Sequence, residues 1–309
     1  MRPGHPLAAS VLIESAGGDY RWVVEAEKVL TEAASAFRGA LGPRLVAAYA
    51  LGSLAHGGFS PLVSDIDLGL IVGDPVRIGD AETIEDVTRS ERAKGSGLGE
   101  RLSVFWGTPA TLRGNAEGGR FPPLDRLDLI EHGRLLLGAD ARQGLARPGT
   151  HELLVAGAEF ALESLAGVRS PAATSAGRPG SLRPAGTDAS EEIRSPDLLL
   201  ARGVRRLTKL VLFPVRFLFT AASGRVGTNE DAVAWYLALD GAPAARLVAA
   251  AFGWRAAAPT DGEDVAALLG DQMRSLYLFY INDHVARLVA SGDAELARAF
   301  ADWRTRITG

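Results

Sequence analysis

The amino-acid sequence predicts an α+β chain, with strands and helices interspersed up to residue 148 and an α-helical bundle from 149 to 309. Three observations carry that expectation. Apolar runs, Leu45 to Leu51 and one reaching Val72, flank a loop rich in glycine and serine. A third apolar run, Arg101 to Trp106, follows a helical stretch. From His151 onward the apolar spacing is helical almost throughout, with breaks only at turn residues.

Taken in order, residues 1–20 read as a leader. Trp22 to Leu41 has helical periodicity, with Val23, Ala26, Val29 and Leu30 on one face, and Gly42-Pro43 stops it. Leu45 to Leu51 is the first strand and the run to Val72 the second. Gly73-Asp74-Pro75 then turns the chain into a helix around Ala81 to Ala93. Gly95-Ser96-Gly97-Leu98-Gly99 reads as a flexible connection. Its glycines precede a strand instead of following one, which is the wrong order for a dinucleotide loop. The third strand, a Gly/Asn/Pro-rich loop, a helix over Leu124 to His132 and a short apolar run, Arg134 to Leu137, lead to a boundary near Pro148-Gly149.

Beyond it, Glu152 to Val168 is one amphipathic helix. Residues 169–195 hold four prolines counting the one that follows, Pro196, with Gly, Ser and Thr between and no apolar periodicity, so a flexible loop is expected. Asp197 to Ala222, Asn229 to Leu239, Ala242 to Phe252, Glu263 to Val289 and Ala294 to Ile307 complete the bundle.

At 309 residues the chain can build two cores, and 47% hydrophobic with 23% charged residues is the balance of a folded protein. A formal charge of −4 argues against a nucleic-acid-binding surface. Only Lys28, Lys94 and Lys209 among 33 basic residues are lysines, and with the abundant alanine and glycine this points to a high-GC bacterial genome. The absence of cysteine excludes disulfides, thiolate metal sites and cysteine nucleophiles. The five histidines show no ligand spacing in sequence, which speaks against zinc. Met1 to Ser10 lacks the apolar core of a signal peptide, and Leu207 to Ala222 is interrupted by Lys209, Pro214 and Arg216, so a cytoplasmic protein with no membrane partner is expected.

The chemistry concentrates in Leu51-Gly52-Ser53 and Ser64-Asp65-Ile66-Asp67-Leu68. Side chains in a strand alternate, so Asp65 and Asp67 share one face while Ile66 and Leu68 point to the core. Two adjacent carboxylates repel unless a cation sits between them, and Mg²⁺ with phosphate oxygens suits the pair. The Gly52-Ser53 turn offers N–H groups and a hydroxyl for a phosphate tail.

This stretch resembles the signature of the DNA polymerase β-like nucleotidyltransferase superfamily, and most of all the aminoglycoside adenylyltransferases, whose loop also reads Gly-Gly-x-x-Pro before Ser-Asp-Ile-Asp-Leu. The resemblance implies a mixed sheet with helices, followed by a helical domain that closes over the cleft. It implies ATP as substrate, Mg²⁺ (two ions) on Asp65 and Asp67, and a small-molecule hydroxyl as acceptor of AMP. Gly52, Ser53, Ser64 and Arg216 are the expected nucleotide contacts. The third acidic residue of the family falls in register at Ser103, with Glu100 three residues upstream on the opposite parity as the alternative third acid.

Leu212 through Trp235 is similar to the family's helical domain, with Arg216, Gly224, Ala232 and Trp235 in matching places. Its lysine is Asn229 here, and the acid expected ahead of the preceding helix falls near Arg206, which argues against a polycationic acceptor. Other roles stay open: Glu230 or Asp231 as substitute acids or helix-capping residues, Trp235 as a base-stacking or core residue, His56 as a triphosphate contact or solvated loop residue. Arg202, Arg205, Arg206, Lys209 and Arg216 form a run that faces either phosphate or solvent. Two other functions compatible with these residues are a nucleotide-binding module without efficient turnover and an antitoxin-like enzyme that adenylylates protein.

Overall fold

A computed structural model describes residues 7–95, 97–168 and 188–309, with side chains from Tyr20 onward. It shows a four-stranded mixed sheet with helices and a C-terminal helical region, divided into two compact units. The first runs through Phe121 and adds His132–Leu145; the second takes Pro122–Glu131 and everything from Ala146.

In the first unit, α1 (Leu7–Leu41) leads into β1 (Leu45–Leu51), the short α2 (Gly52–His56) and β2 (Ile66–Val72). Then come α3 (Asp80–Arg92), β3 (Leu102–Gly107), the single turn α4 (Pro109–Leu112) and, after α5 (Pro123–His132), β4 (Arg134–Gly138). The strand order is β3-β2-β1-β4, with β2 and β3 parallel and both other pairings antiparallel. The parallel pair follows from the crossover through α3, which returns the chain to the same end of the sheet.

One face of the sheet supplies the core: Ala48, Ala50, Ile66, Leu68, Leu70, Leu102 and Val104 pack with Leu30, Ala33 and Phe37 of α1 and Ile84 of α3. The opposite face carries Tyr49, Leu51, Gly69 and Ile71, all buried. Tyr49 donates its hydroxyl to Asp140 Oδ1 at 2.9 Å and accepts from the Ala141 N–H at 2.7 Å. Burial pushes its phenol up to about 12, so it stays neutral.

Two sequence expectations require correction. The stretch read as a leader, residues 1–20, is helical from Leu7. Leu7, Ala8, Ala9, Leu12 and Glu14 are good helix formers, and the helix continues across Gly17-Gly18 despite their low propensity. Residues 1–6 lie outside the described residues. Of the loop expected over 169–195, residues 169–187 lie outside the described residues; in the remainder α7 (Ser190–Arg194) is helical and buries Ile193 and Glu192. Its start is held by Asp188 Oδ1, which accepts from the Ser190 N–H at 2.9 Å. Ser96, in the glycine-rich connection, also lies outside the described residues; after it Leu98 and Gly99 are buried and Gly99–Arg101 forms a 3-10 turn.

The second unit comprises α6 (Thr150–Ser164), α7, α8 (Pro196–Ala201), α9 (Val204–Ser223), α10 (Asn229–Leu237), α11 (Ala245–Gly253), α12 (Gly262–Ser291) and α13 (Ala294–Thr308). Helix α9 packs against α6, α10, α11 and α12. Its Leu207, Leu210, Val211, Val215 and Leu218 share a core with Met273, Leu276, Tyr277 and Tyr280 of α12. Caps explain two of the starts: the Thr228 hydroxyl accepts from the Asp231 N–H at 3.1 Å, and Asp261 accepts from Glu263 and Asp264. Residues 122–131 join this unit because Leu127 packs with Leu153 and Val226, and the Val226 N–H donates to Glu131 Oε2 at 3.1 Å. No helix among the described residues is long and apolar enough to cross a membrane.

His284 of α12 is buried against Tyr280 and Phe300, with the Asp283 carboxylate 3.4 Å from Nδ1 and Arg287 one turn on. Burial lowers its pKa, more than Asp283 restores it. The unfolded chain therefore takes up a proton near pH ~6.5 that the folded chain resists, and stability falls as pH drops below that value. Thermal unfolding at pH 7.5 and 5.5 should show the loss, and His284→Phe should reduce it.

Candidate active site

Strand β2 sets the site. Ile66 and Leu68 are fully buried in the core face, while Asp65, just ahead of the strand, and Asp67, within it, are partly exposed. In the β1/β2 register Asp67 lies opposite Leu51, the last residue of β1, so the Gly52-Ser53 turn begins beside it. Gly52 has φ +60°, and a Cβ there would stand 2.3 Å from Asp67 Oδ2. The backbone of the turn thus lies directly against the carboxylate, and glycine is required twice, for its conformation and for that approach. Ser53 is partly exposed at the start of α2, and its carbonyl accepts from the Gly58 N–H at 2.9 Å.

Gly52→Ala should lower stability by about 1–2 kcal/mol for the left-handed conformation alone and displace the Asp67 carboxylate. A thermal midpoint reduced by a few degrees, together with weakened nucleotide binding in calorimetry, is the expected result.

The loop between the turn and the aspartates is fixed by its own bonds. Ser64 is buried; its hydroxyl accepts from the Ser60 N–H at 3.0 Å, and its N–H donates to the Ser60 carbonyl at 2.9 Å. Ser64, expected to contact nucleotide, thus engages its oxygen in closing the loop that delivers Asp65. Arg101, at the start of β3, donates Nη1 to the Pro61 carbonyl at 2.6 Å and approaches the Ser64 carbonyl at 3.5 Å. Sequence reasoning missed this positioning residue, because its partners are carbonyls some forty positions away.

The β2/β3 register is regular: Asp67 lies beside Ser103 and Gly69 beside Phe105. Parallel neighbours share a face, so Ser103 stands next to Asp67, half-exposed. Glu100 lies in the 3-10 turn ahead of β3 and is exposed, and no bulge in the pairing turns it toward Asp67. Further along this face, a Cβ at Gly69 would touch Phe121 at 3.2 Å, and the Phe121 and Phe105 rings are 6.1 Å apart.

Most of the remaining expected contributors belong to the second unit. Arg216, on α9 of the second unit, donates Nε to the Gly227 carbonyl at 2.5 Å, bracing the turn before α10. Glu230 forms an ion pair with Arg255 at 2.8 Å, and Asp231 lies 3.7 Å from Arg225. Trp235 packs edge-on against Phe219, a core contact. In the basic run, Arg206 and Arg202 pair with the buried Glu192 at 2.6 and 3.1 Å. A carboxylate so enclosed needs compensating charge, which explains an arginine there without any phosphate. His56, at the end of α2, has its ring centroid 4.5 Å from that of His132.

No protein-family model matches the chain, and neither does any curated protein sequence. Among solved structures it is similar to spectinomycin adenyltransferase AAD(9) from Enterococcus faecialis, crystallised with ATP and spectinomycin, at 14% identity and a TM-score of 0.47, over 84% of this chain and 99% of that one.

Proposed function

We propose that this chain is a Mg²⁺-dependent nucleotidyltransferase that transfers AMP from ATP to a hydroxyl of a small molecule. The observation that carries the reading is the packing of the Gly52 backbone against the carboxylate of Asp67, with Asp65, partly exposed, two residues before it. A phosphate-holding turn and a metal-holding acid pair are thereby adjacent. The donor set fits the ion: two partly exposed carboxylates are hard oxygen ligands, and they leave further positions for water and phosphate. When bound, Mg²⁺ neutralises triphosphate charge and favours displacement of pyrophosphate.

The chain's own residues then have distinct tasks. Asp65 and Asp67 hold the ion, and Gly52 and Ser53 bind the β- and γ-phosphates. The acceptor oxygen bonds to the α-phosphorus as the bond to pyrophosphate breaks, and the acceptor proton leaves for a base. Ser103 at neutral pH is a poor base. Glu100 is the nearest alternative along the chain, and it must leave its exposed turn to serve.

That position of Ser103 also favours a second reading, a module that binds nucleotide without efficient turnover. Calorimetric ATP binding with Mg²⁺, combined with pyrophosphate release over a panel of hydroxyl acceptors, separates the two. Release above the level of Asp67→Asn supports the enzyme, binding without release supports the module, and no binding overturns both.

A further inference from the structure

We infer that Phe105, Phe121 and Arg120 line the acceptor side of the site, and that the acceptor presents an apolar ring and is neutral or anionic. The inference rests on the nucleotidyltransferase reading. All three residues belong to the first unit. Along β2, Gly69 follows Asp67 by two residues and so faces the same way, about 7 Å further on. In the β2/β3 register Ser103 stands beside Asp67 and Phe105 beside Gly69. A Cβ at Gly69 would stand 3.2 Å from Phe121 Cζ and 3.0 Å from Leu51 Cδ1. The bare backbone at position 69 thus makes room for the tip of the Phe121 ring, whose centre lies 6.1 Å from that of Phe105.

Backbone pairing fixes these side chains. The Arg120 N–H donates to the Trp106 carbonyl at 2.7 Å and the Trp106 N–H to the Arg120 carbonyl at 2.9 Å, which pins the residue before Phe121 to β3. Arg120 Nη1 donates to the Val104 carbonyl at 3.2 Å, and the guanidinium carbon lies 5.6 Å from the centre of the Phe105 ring. Both phenylalanines remain partly exposed, although Tyr49, Leu51 and Ile71 on this face are buried. Apolar surface beside a few polar groups is how a binding site orients a small molecule. The Gly52-Ser53 turn begins at the end of β1 opposite Asp67, so the phosphate tail belongs to that end of the strands and the rings to the other. Ser103 stands where a base would take the acceptor's proton, and Phe105 is its next neighbour on the same strand face. The wall itself selects by chemistry. Phenyl groups take another ring in offset or edge-on contact, and the adjoining guanidinium repels cations and attracts carboxylates.

The test titrates the full chain by calorimetry with four hydroxyl probes: anionic 3-phenyllactate, neutral 2-phenylethanol, cationic phenylalaninol and a polyaminated trisaccharide. No nucleotide is present, and ATP with Mg²⁺ is titrated separately. Phenyllactate and phenylethanol should bind, the former more tightly, and the polyaminated sugar should not. Phe121→Ala and Phe105→Ala should each weaken phenyllactate by about 10-fold and leave ATP affinity unchanged. Arg120→Glu should reverse the order of phenyllactate and phenylalaninol, a result that misfolding does not produce. A wild type that binds none of the ring probes, or prefers the polyaminated sugar, overturns the inference. An equal loss of ATP affinity in Phe121→Ala also overturns it, since the rings would then hold the nucleobase. The two readings fail separately. ATP binding without ring-probe binding sinks this inference alone, whereas Phe121-dependent ring binding without ATP binding sinks the nucleotidyltransferase reading and leaves the ring site standing.

Discussion

Asp67→Asn should reduce pyrophosphate release by about 10³-fold or more while leaving the thermal midpoint almost unchanged. The substitution keeps the shape of the side chain against Gly52, where the backbone approaches so closely that shape matters. It removes the charge. An amide cannot replace a carboxylate as ligand to a hard dication, and metal stabilisation of a transferring phosphoryl group is worth several kcal/mol. At about 1.36 kcal/mol per decade of rate, a loss of about 4 kcal/mol gives that factor. Asp65→Asn should act in the same direction, because the proposed mechanism gives it the same task, and like Asp67 it is partly exposed while Ile66 and Leu68 are buried. A fully active Asp67→Asn enzyme would remove the basis of the mechanism.

Ser103→Asp should raise turnover by about 10²–10⁴-fold, the usual contribution of a positioned general base. The register places Ser103 beside Asp67, so the new carboxylate would join the acidic face without any backbone change. The cost is electrostatic. A third carboxylate beside two others is disfavoured when no cation is present, so the thermal midpoint should fall in chelator and recover with Mg²⁺. Glu100→Gln in the same assay supplies the contrast. If Glu100 leaves its exposed turn to act as base, Glu100→Gln lowers turnover and Ser103→Asp brings little gain. If Glu100 is inert, Glu100→Gln is silent and the whole response belongs to position 103.

Much of this arrangement was legible locally. The helices from Asn229, Gly262 and Ala294 start close to where capping residues and periodicity put them. The strand parity that sets Asp65 and Asp67 apart from Ile66 and Leu68 follows from a two-residue repeat. The misreadings were also local in origin. Residues 1–20 were read as a leader although a helix begins at Leu7, and prolines drew the expected loop across the helical turn at Ser190–Arg194. Arg206 neutralises buried Glu192, a partner its place in the sequence did not reveal.

By itself the sequence determined where strands and helices form, which residues share a strand face, and that glycine occupies the turn after β1, because each of these depends on neighbours within a few positions. Only the tertiary structure decided that Ser103 stands beside Asp67, that the Gly52 backbone presses on that carboxylate, that Arg101 grips the loop carbonyls and that His56 meets His132. These pairings join residues distant along the chain. They are set by the crossover through α3, by strand register and by core packing, which no short stretch of sequence encodes.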